Sequence, residues 1–384
     1  MRASMVLAAS LISATTVGAA EIRVDGTVND DWDELRKITL VGKIVSGDAR
    51  RLEQMIAEDD RTIVFLRSTG GDYREGLKLA QLFKSRQVRT MVDNGDTCYS
   101  ACAIAFLGGS AYGEEGTQPF ARAIAPHARL GYHAPFIEVA DGELTADSVE
   151  AAYDHAIKTV TDFVRAAGGL GVSAEVAADM MTPQRTSLYK VETLRDLARI
   201  GIQLQGLGAP VALTASMARN LCINGWIAEG DTSWQEAAAT MDGVLADISW
   251  PGDSTLAFRS GYFSFEPADA KRTVLPIAEA GEGSGYYACV IDHAIVDGVL
   301  HVSNRGYVLA ELPDQIMRRA ADFDTNPDEP DEPDARNQFG INVVDPLARN
   351  IPEDDLRYGV VPLDTRIEEI AATIANYIAR EPAL

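Results

Sequence analysis

Positive charge is scarce in this chain: 34 lysines and arginines stand against 57 aspartates and glutamates, a formal net charge of −23 over 384 residues. A phosphate backbone or an anionic lipid surface would repel such a chain, which excludes nucleic acid as a partner. Long apolar runs are missing too. Beyond the N-terminus, no stretch approaches the ~20 apolar residues that a bilayer-spanning helix needs, so no membrane span is expected once a leader is removed. Histidine numbers five and cysteine four, and no His/Asp/Glu cluster has zinc spacing. Cys98 and Cys102 form C-x-x-x-C, not the C-x-x-C of a dithiol oxidoreductase. The paired glycines at 70 and 71 lack the GK[ST] ending of a phosphate loop. Neither a metal nor a cofactor is expected.

What is present begins with a leader. Arg2, the apolar stretch Met5 to Ile12 and the small residues Val17-Gly18-Ala19-Ala20 read as a secretory signal over 1–20, cut after Ala20. The competing reading, an N-terminal anchor, has too short an apolar run. Export places the protein in the periplasm or outside the cell, where Cys98, Cys102, Cys222 and Cys289 are free to form disulfides. Three pairings are possible. Position favours Cys98 with Cys102 and Cys222 with Cys289, because residues four apart on a helix lie ~5–6 Å from each other, near disulfide reach.

A polar lead-in, Glu21 to Lys37, is followed by an expected strand from Ile38 to Val45. Gly47 and Asp48 start a helix with Ala49, Leu52 and Ile56 on one face. Thr62 to Leu66 is a continuous apolar run of the kind buried parallel strands show. The next helix carries Gly76, Leu79, Ala80 and Phe83 at i, i+3, i+4 and i+7, and Val88 to Val92 supplies a third strand. Gly113 to Ala128 reads as loop and Arg129 to His133 as a short strand. Val149, Ala152, Tyr153, Ala156, Val160, Phe163 and Val164 mark a long amphipathic helix, with His155 on its polar side. Ser173 caps further helical material to Ile200, broken at Pro183 and ended by Gly201. Repeated strand-helix units of this kind predict an α/β fold.

Composition shifts near residues 207 to 215. We expect one domain over 21–210 and a second, mixed α+β, over 211–384, with strands at Tyr286 to Asp292 and Val299 to Val302. Ile367, Ile370, Ile374 and Tyr377 or Ile378 give it a closing amphipathic helix. Within it, Asp322, Asp324, Asn326 and Asp328 alternate like a calcium loop, but Pro327 takes the glycine position and Pro333 that of the bidentate glutamate. A solvated acidic loop is the better reading.

Chemistry concentrates at Asp96-Thr97-Cys98-Tyr99-Ser100-Ala101-Cys102, a polar turn opening an apolar helix from Ala101 to Leu107. A serine there is either an ordinary helix cap or a nucleophile whose hydroxyl meets favourable charge at a helix N-terminus. The nucleophile needs a base and two oxyanion donors. His133, in Leu130-Gly131-Tyr132-His133, is the candidate base. His127 is a nearby rival without a motif, while His155, His293 and His301 read as structural or solvated. Gly70 and Gly71, in Ser68-Thr69-Gly70-Gly71-Asp72, either make a tight turn or present backbone N–H groups to a substrate carbonyl. Right-handed crossovers would place this loop beside the Ser100 turn at one end of a parallel sheet.

With these motifs in order, and with Leu40-Val41-Gly42-Lys43-Ile44 before them and Leu194 to Ile202 after them, the segment from about Ile38 to Ile202 resembles the ClpP/crotonase superfamily, and within it exported ClpP-like bacterial proteins. The resemblance implies Ser100 as nucleophile, His133 as general base, and oxyanion donors from the glycine loop and from Ala101. It also implies an aspartate orienting the histidine, shortly before the closing helix. Thr182 to Tyr189 contains no acid. Ser187 stands near the expected place, with Asp179 and Glu192 flanking it.

The expected function is therefore an ATP-independent periplasmic serine hydrolase, a peptidase by first reading, taking small peptides or unfolded chains and free to form homo-oligomers as superfamily members do. The alternative is a weak or inactive ClpP-like protein that binds peptides or serves as an envelope scaffold. Cys98 and Cys102 are expected to clasp the nucleophile turn.

Overall fold

The computed structural model describes residues 19–30, 33–57, 61–112, 118–136, 145–183, 187–227, 234–247, 255–257, 271–279, 285–296, 298–310, 315, 317 and 359–384. Among them the chain is mixed α/β with three sheets. The leader over 1–18 and the acidic stretch 322–334 lie outside the described residues.

Apolar runs bounded by polar turns build the central sheet. Strands β1 (Glu21–Asp30), β2 (Asp33–Val41), β3 (Thr62–Arg67), β4 (Arg89–Val92), β6 (Arg122–Ile124) and β9 (Gln203–Leu204) lie in that order across it. β1 and β2 are antiparallel, and every other neighbouring pair is parallel. Ile38, Leu40, Val64 and Leu66 are fully buried in the middle strands, as continuous apolar runs require.

Helix α1 (Asp48–Glu53) starts after Gly47, and α2 (Tyr73–Ser85) is capped by Asp72, whose carboxylate accepts from the Glu75 N–H at 3.2 Å. Gly76, Leu79, Ala80 and Phe83 form the buried face of α2. A methyl at Gly76 would fall 2.3 Å from the Ala101 carbonyl oxygen, so the missing side chain lets α2 lie backbone to backbone against α3 (Ala101–Phe106), which is buried along its whole length.

A second sheet joins β5 (Thr97–Tyr99), β7 (Arg129–Tyr132) and β8 (Tyr189–Lys190). It abuts the central sheet through a parallel bridge between Ser68 and Cys98. Helices α4 (Ala146–Ala167), α5 (Ala174–Met181) and α6 (Leu194–Ile200) follow in the chain, with Ser173 capping α5 and Gly201 ending α6 in a left-handed conformation.

After these come α7 (Ala215–Ile227), α8 (Trp234–Asp247), and an antiparallel sheet of β10 (Thr255–Ala257), β11 (Lys271–Glu279), β12 (Tyr286–Val296) and β13 (Val299–Ala310). The closing helix α9 (Ile370–Arg380) is preceded by a single tight turn, and Ile367, Ile370 and Ile374 are buried as its spacing predicts. One apolar cluster runs from Ala20 through the α2–α3 layer to Cys222, Cys289 and Ile374. No helix among the described residues is long and apolar enough to cross a membrane.

Four expectations need correction. The polar lead-in is a β-hairpin, β1 with β2, and its charges suit a sheet edge open to water. The strand from Ile38 stops at Val41, because Gly42 turns the chain with φ 101°. The segment read as loop from Gly113 to Ala128 contains β6, a strand disguised by the fully buried Arg122 at its start. Finally, the long helix α4 buries Thr159, Phe163 and Ala167, while Val149, Tyr153 and Val164 from its expected apolar stripe are exposed.

Candidate functional site

The site is assembled where the chain leaves β3. Ser68 donates its N–H to the Thr97 carbonyl at 2.8 Å and accepts from the Tyr99 N–H at 3.0 Å, which ties the start of the glycine loop to the strand before Ser100. Ile44 holds the loop from the other side: its N–H reaches the Gly70 carbonyl at 2.9 Å, and its carbonyl accepts from Asp72 N–H at 2.9 Å. Gly70 and Gly71 have φ of 110° and 149°, conformations that side chains disfavour.

The two glycines have different tasks. Gly70 donates its N–H to the Ser68 hydroxyl at 3.0 Å, so that amide is already committed. A methyl on Gly70 would stand 2.8 Å from Ser100 Cβ and 3.2 Å from Ser100 Oγ. The bare α-carbon is what lets the serine side chain sit against the loop. At Gly71 a methyl would fall 2.0 Å from the Ile44 carbonyl oxygen. The Ile44–Gly71 bridge uses the backbone groups of Ile44, so the Gly71 N–H points away from it. No acceptor for that N–H is found among the described residues.

Ser100 follows β5 directly and stands at the cap position of α3. Its side chain makes no capping bond, which sets aside the ordinary N-cap reading. Its backbone has φ 57° and ψ −123°; Gln87 is the other described non-glycine residue with positive φ. Such strain persists where the surroundings over-determine it. The Ser100 N–H donates to the Gly131 carbonyl at 3.0 Å, and the Ser100 carbonyl accepts from Ile104 N–H at 3.0 Å. Ala101 then opens the helix with an N–H that has no acceptor within α3. Cys98 and Cys102 lie at disulfide distance, with 5.1 Å between their α-carbons. Cys222 and Cys289 do as well, at 5.7 Å.

His133 arrives through β7. The parallel register pairs Cys98 with Leu130 and Tyr99 with Gly131, so the chain beyond Gly131 runs past the Ser100 turn. His133 is 6 % exposed. Its Nδ1 lies 2.7 Å from the Ala134 carbonyl oxygen, and since a carbonyl only accepts, Nδ1 is the donor, so that in the neutral form of the ring the lone pair falls on Nε2. That is the tautomer a general base needs. The Phe136 ring tilts over the imidazole with 5.2 Å between centroids. No hydrogen bond joins Ser100 to His133 among the described residues; in unliganded sites such bonds often tighten only with substrate.

None of the candidates for a third member has a hydrogen bond to this histidine among the described residues. Antiparallel pairing of Tyr132 with Tyr189 brings the start of β8 alongside, and Ala134 N–H donates to the Pro183 carbonyl at 3.0 Å. Ser187, two residues before Tyr189, is exposed. The Asp179 carboxylate accepts from Arg199 Nη2 at 2.9 Å. Glu192 pairs with Lys190 and Arg366 at 3.6 and 3.8 Å. The contact that the imidazole does make is with the Ala134 carbonyl, and a backbone atom leaves no signal in residue types. The Ser68 hydroxyl was also missed, although Ser68 stood in the motif.

The other histidines are elsewhere. His127 and His155 are exposed, while His293 is buried in β12 beside the Thr273 hydroxyl. His301 lies in β13, the partner strand of β12. Among the described residues no group of His, Cys, Asp and Glu has the arrangement of a metal site.

No protein-family model matches the chain, and neither does any curated protein. Among solved structures it is similar to a ClpP1 mutant from Listeria monocytogenes, at 17% identity and a TM-score of 0.28, over 40% of this chain and 81% of that one. A likeness of that extent carries no weight for function.

Proposed function

We propose that the protein is an exported, ATP-independent serine hydrolase of ClpP-like architecture, acting on peptides or loosely folded chains. The observation that carries this reading is Ser100 itself: a strained, left-handed serine whose hydroxyl caps nothing and lies against a side-chain-free α-carbon. In this reading Ser100 Oγ attacks the substrate carbonyl carbon while His133 Nε2 takes its proton. The Gly71 and Ala101 N–H groups receive the oxyanion. The imidazolium returns the proton to the leaving amine, and water then cleaves the acyl-enzyme by the same route. The chemistry falls within residues 21–210, with 211–384 as a second unit.

The Ala134 carbonyl holds the imidazole tautomer but offers no full negative charge to the imidazolium, so turnover is expected to be slow. The same feature favours a second reading, a peptide-binding protein that keeps the fold without the activity.

Fluorophosphonate labelling of the full mature chain separates the two. Labelling that disappears in both Ser100→Ala and His133→Ala supports the hydrolase, whereas a folded wild-type chain that never labels leaves the binding protein. Export is tested by N-terminal sequencing. Glu21 as first residue fits it; retention of Ala20, which is buried here with its carbonyl accepting from Arg51 Nη1 at 3.0 Å, counts against it.

A further inference from the structure

The Cys98–Cys102 bond encloses Ser100 symmetrically, from two residues before it to two after. Both cysteines are fully buried, and their α-carbons are 5.1 Å apart. The first sits on β5 and the second on α3, so the bond spans the joint where the chain turns from strand into helix. At that joint Ser100 holds φ 57°, a conformation unfavourable for an L-residue.

The Ser100 N–H and carbonyl are anchored to Gly131 and Ile104. Its hydroxyl makes no capping bond, so no side-chain cap holds the strain. Rotation of residue 100 back to negative φ would swing Oγ off Gly70 and re-aim the Ala101 N–H. A covalent ring closed over residues 98–102 opposes that rotation, because both of its ends move with the turn.

We propose that the Cys98–Cys102 disulfide is a positioning element: it keeps residue 100 left-handed and thereby holds the nucleophile against Gly70 and the Ala101 N–H toward the oxyanion. The functional part of this inference rests on Ser100 being the nucleophile; the conformational part does not. A misplacement of about 1 Å in such a site costs roughly a hundredfold in rate.

The test uses the full mature chain carrying Cys98→Ala and Cys102→Ala together, with Cys222 and Cys289 intact. Two readouts are taken on folded protein: φ at residue 100 in a crystal structure, and the rate of fluorophosphonate labelling. The expected result is a residue 100 that leaves positive φ and labelling slowed about a hundredfold. Retention of positive φ, or labelling at the wild-type rate, overturns the proposal. If the double variant does not fold, a chain carrying Cys222→Ala and Cys289→Ala, in which 98–102 is the one disulfide left, is titrated with dithiothreitol while mass spectrometry follows that bond. Labelling lost in step with that bond in a folded chain supports the clasp; unchanged labelling, or outright unfolding on reduction, overturns it. A wild-type chain that never labels defeats the hydrolase reading instead, and φ in the double variant still judges the clasp.

Discussion

A side chain at Gly70 would meet the proposed nucleophile directly. Gly70→Ala places a methyl 2.8 Å from Ser100 Cβ, so labelling should fall about a hundredfold while the chain still folds; labelling at the wild-type rate would detach Gly70 from the site. Gly71→Ala differs in kind, since its methyl would collide with the Ile44 backbone and open the bridge that holds the loop. His293 makes a prediction about stability. Burial, with the Lys271 ammonium adding to it, pushes its pKa down to about 4. The folded chain therefore keeps it neutral, whereas the unfolded chain protonates it near pH 6.5. Between those values the unfolded state binds the extra proton, so stability is complete above pH 6.5 and falls as pH drops toward 4, by on the order of 3 kcal/mol. Urea melts at pH 7, 5.5 and 4.5 should show this slope, and His293→Gln should flatten it. Of the proposed site, Ser100, His133 and the glycine pair were legible as candidates because their residue types and order suit the proposed chemistry. The Ala134 carbonyl was not, because every residue has one.

At the scale of elements, Arg122 explains both a missed strand and much of the packing around it. Its guanidinium donates to the carbonyls of Leu107 and Leu170, each at 2.8 Å, to Gly201 at 3.1 Å, and to Ile200. These carbonyls end α3, the turn after α4, and α6, so one buried cation meets three chain segments where helix dipoles leave negative charge. Burial lowers its pKa to about 10, which leaves it charged at neutral pH. The Phe120 ring packs under it, 4.5 Å from centroid to guanidinium carbon. Arg122→Met should cost on the order of 4 kcal/mol, since it strands several buried acceptors at once; a urea midpoint near wild type would refute this. A charge at the start of a three-residue strand breaks the apolar pattern by which strands are recognised, and only the ring of carbonyls makes it tolerable. Strand β1 was hidden for a related reason: it lies at the edge of the sheet, and an edge strand facing water has no need of an apolar run.

Across the whole molecule, the C-terminal residues reach back to the site's supporting frame. Leu194 and Arg195 donate their N–H groups to the Thr365 and Leu363 carbonyls at 3.1 and 2.8 Å, so a distant strap completes the first turn of α6, just after the stretch alongside His133. Asn220 and Asn224 of α7 hold that strap through the carbonyls of Val360, Gly359 and Val361. The Cys222–Cys289 bond then ties α7 to β12 across a sequence separation of 67. Closing a loop of that length stabilises by about 4 kcal/mol in the chain-entropy account. Cys222→Ala with Cys289→Ala should lose roughly that amount in denaturant while fluorophosphonate labelling of the folded chain continues. Loss of labelling without loss of stability would instead assign this half a part in the chemistry.

Local chemistry was enough to determine the acidic surface, the absence of long apolar runs, the strand-helix alternation up to Gly201, and the residue types of the proposed site. These properties are written in composition, periodicity and turn residues, which act over a few positions. The tertiary structure alone decided that Ser100 is left-handed and lies against Gly70, that a carbonyl orients His133, that Arg122 belongs inside, and that the strap at 359–367 supports α6. Each of these depends on where backbone groups come to lie in the fold, from the adjacent Ala134 carbonyl to segments distant along the chain, and backbone groups are the same in every sequence.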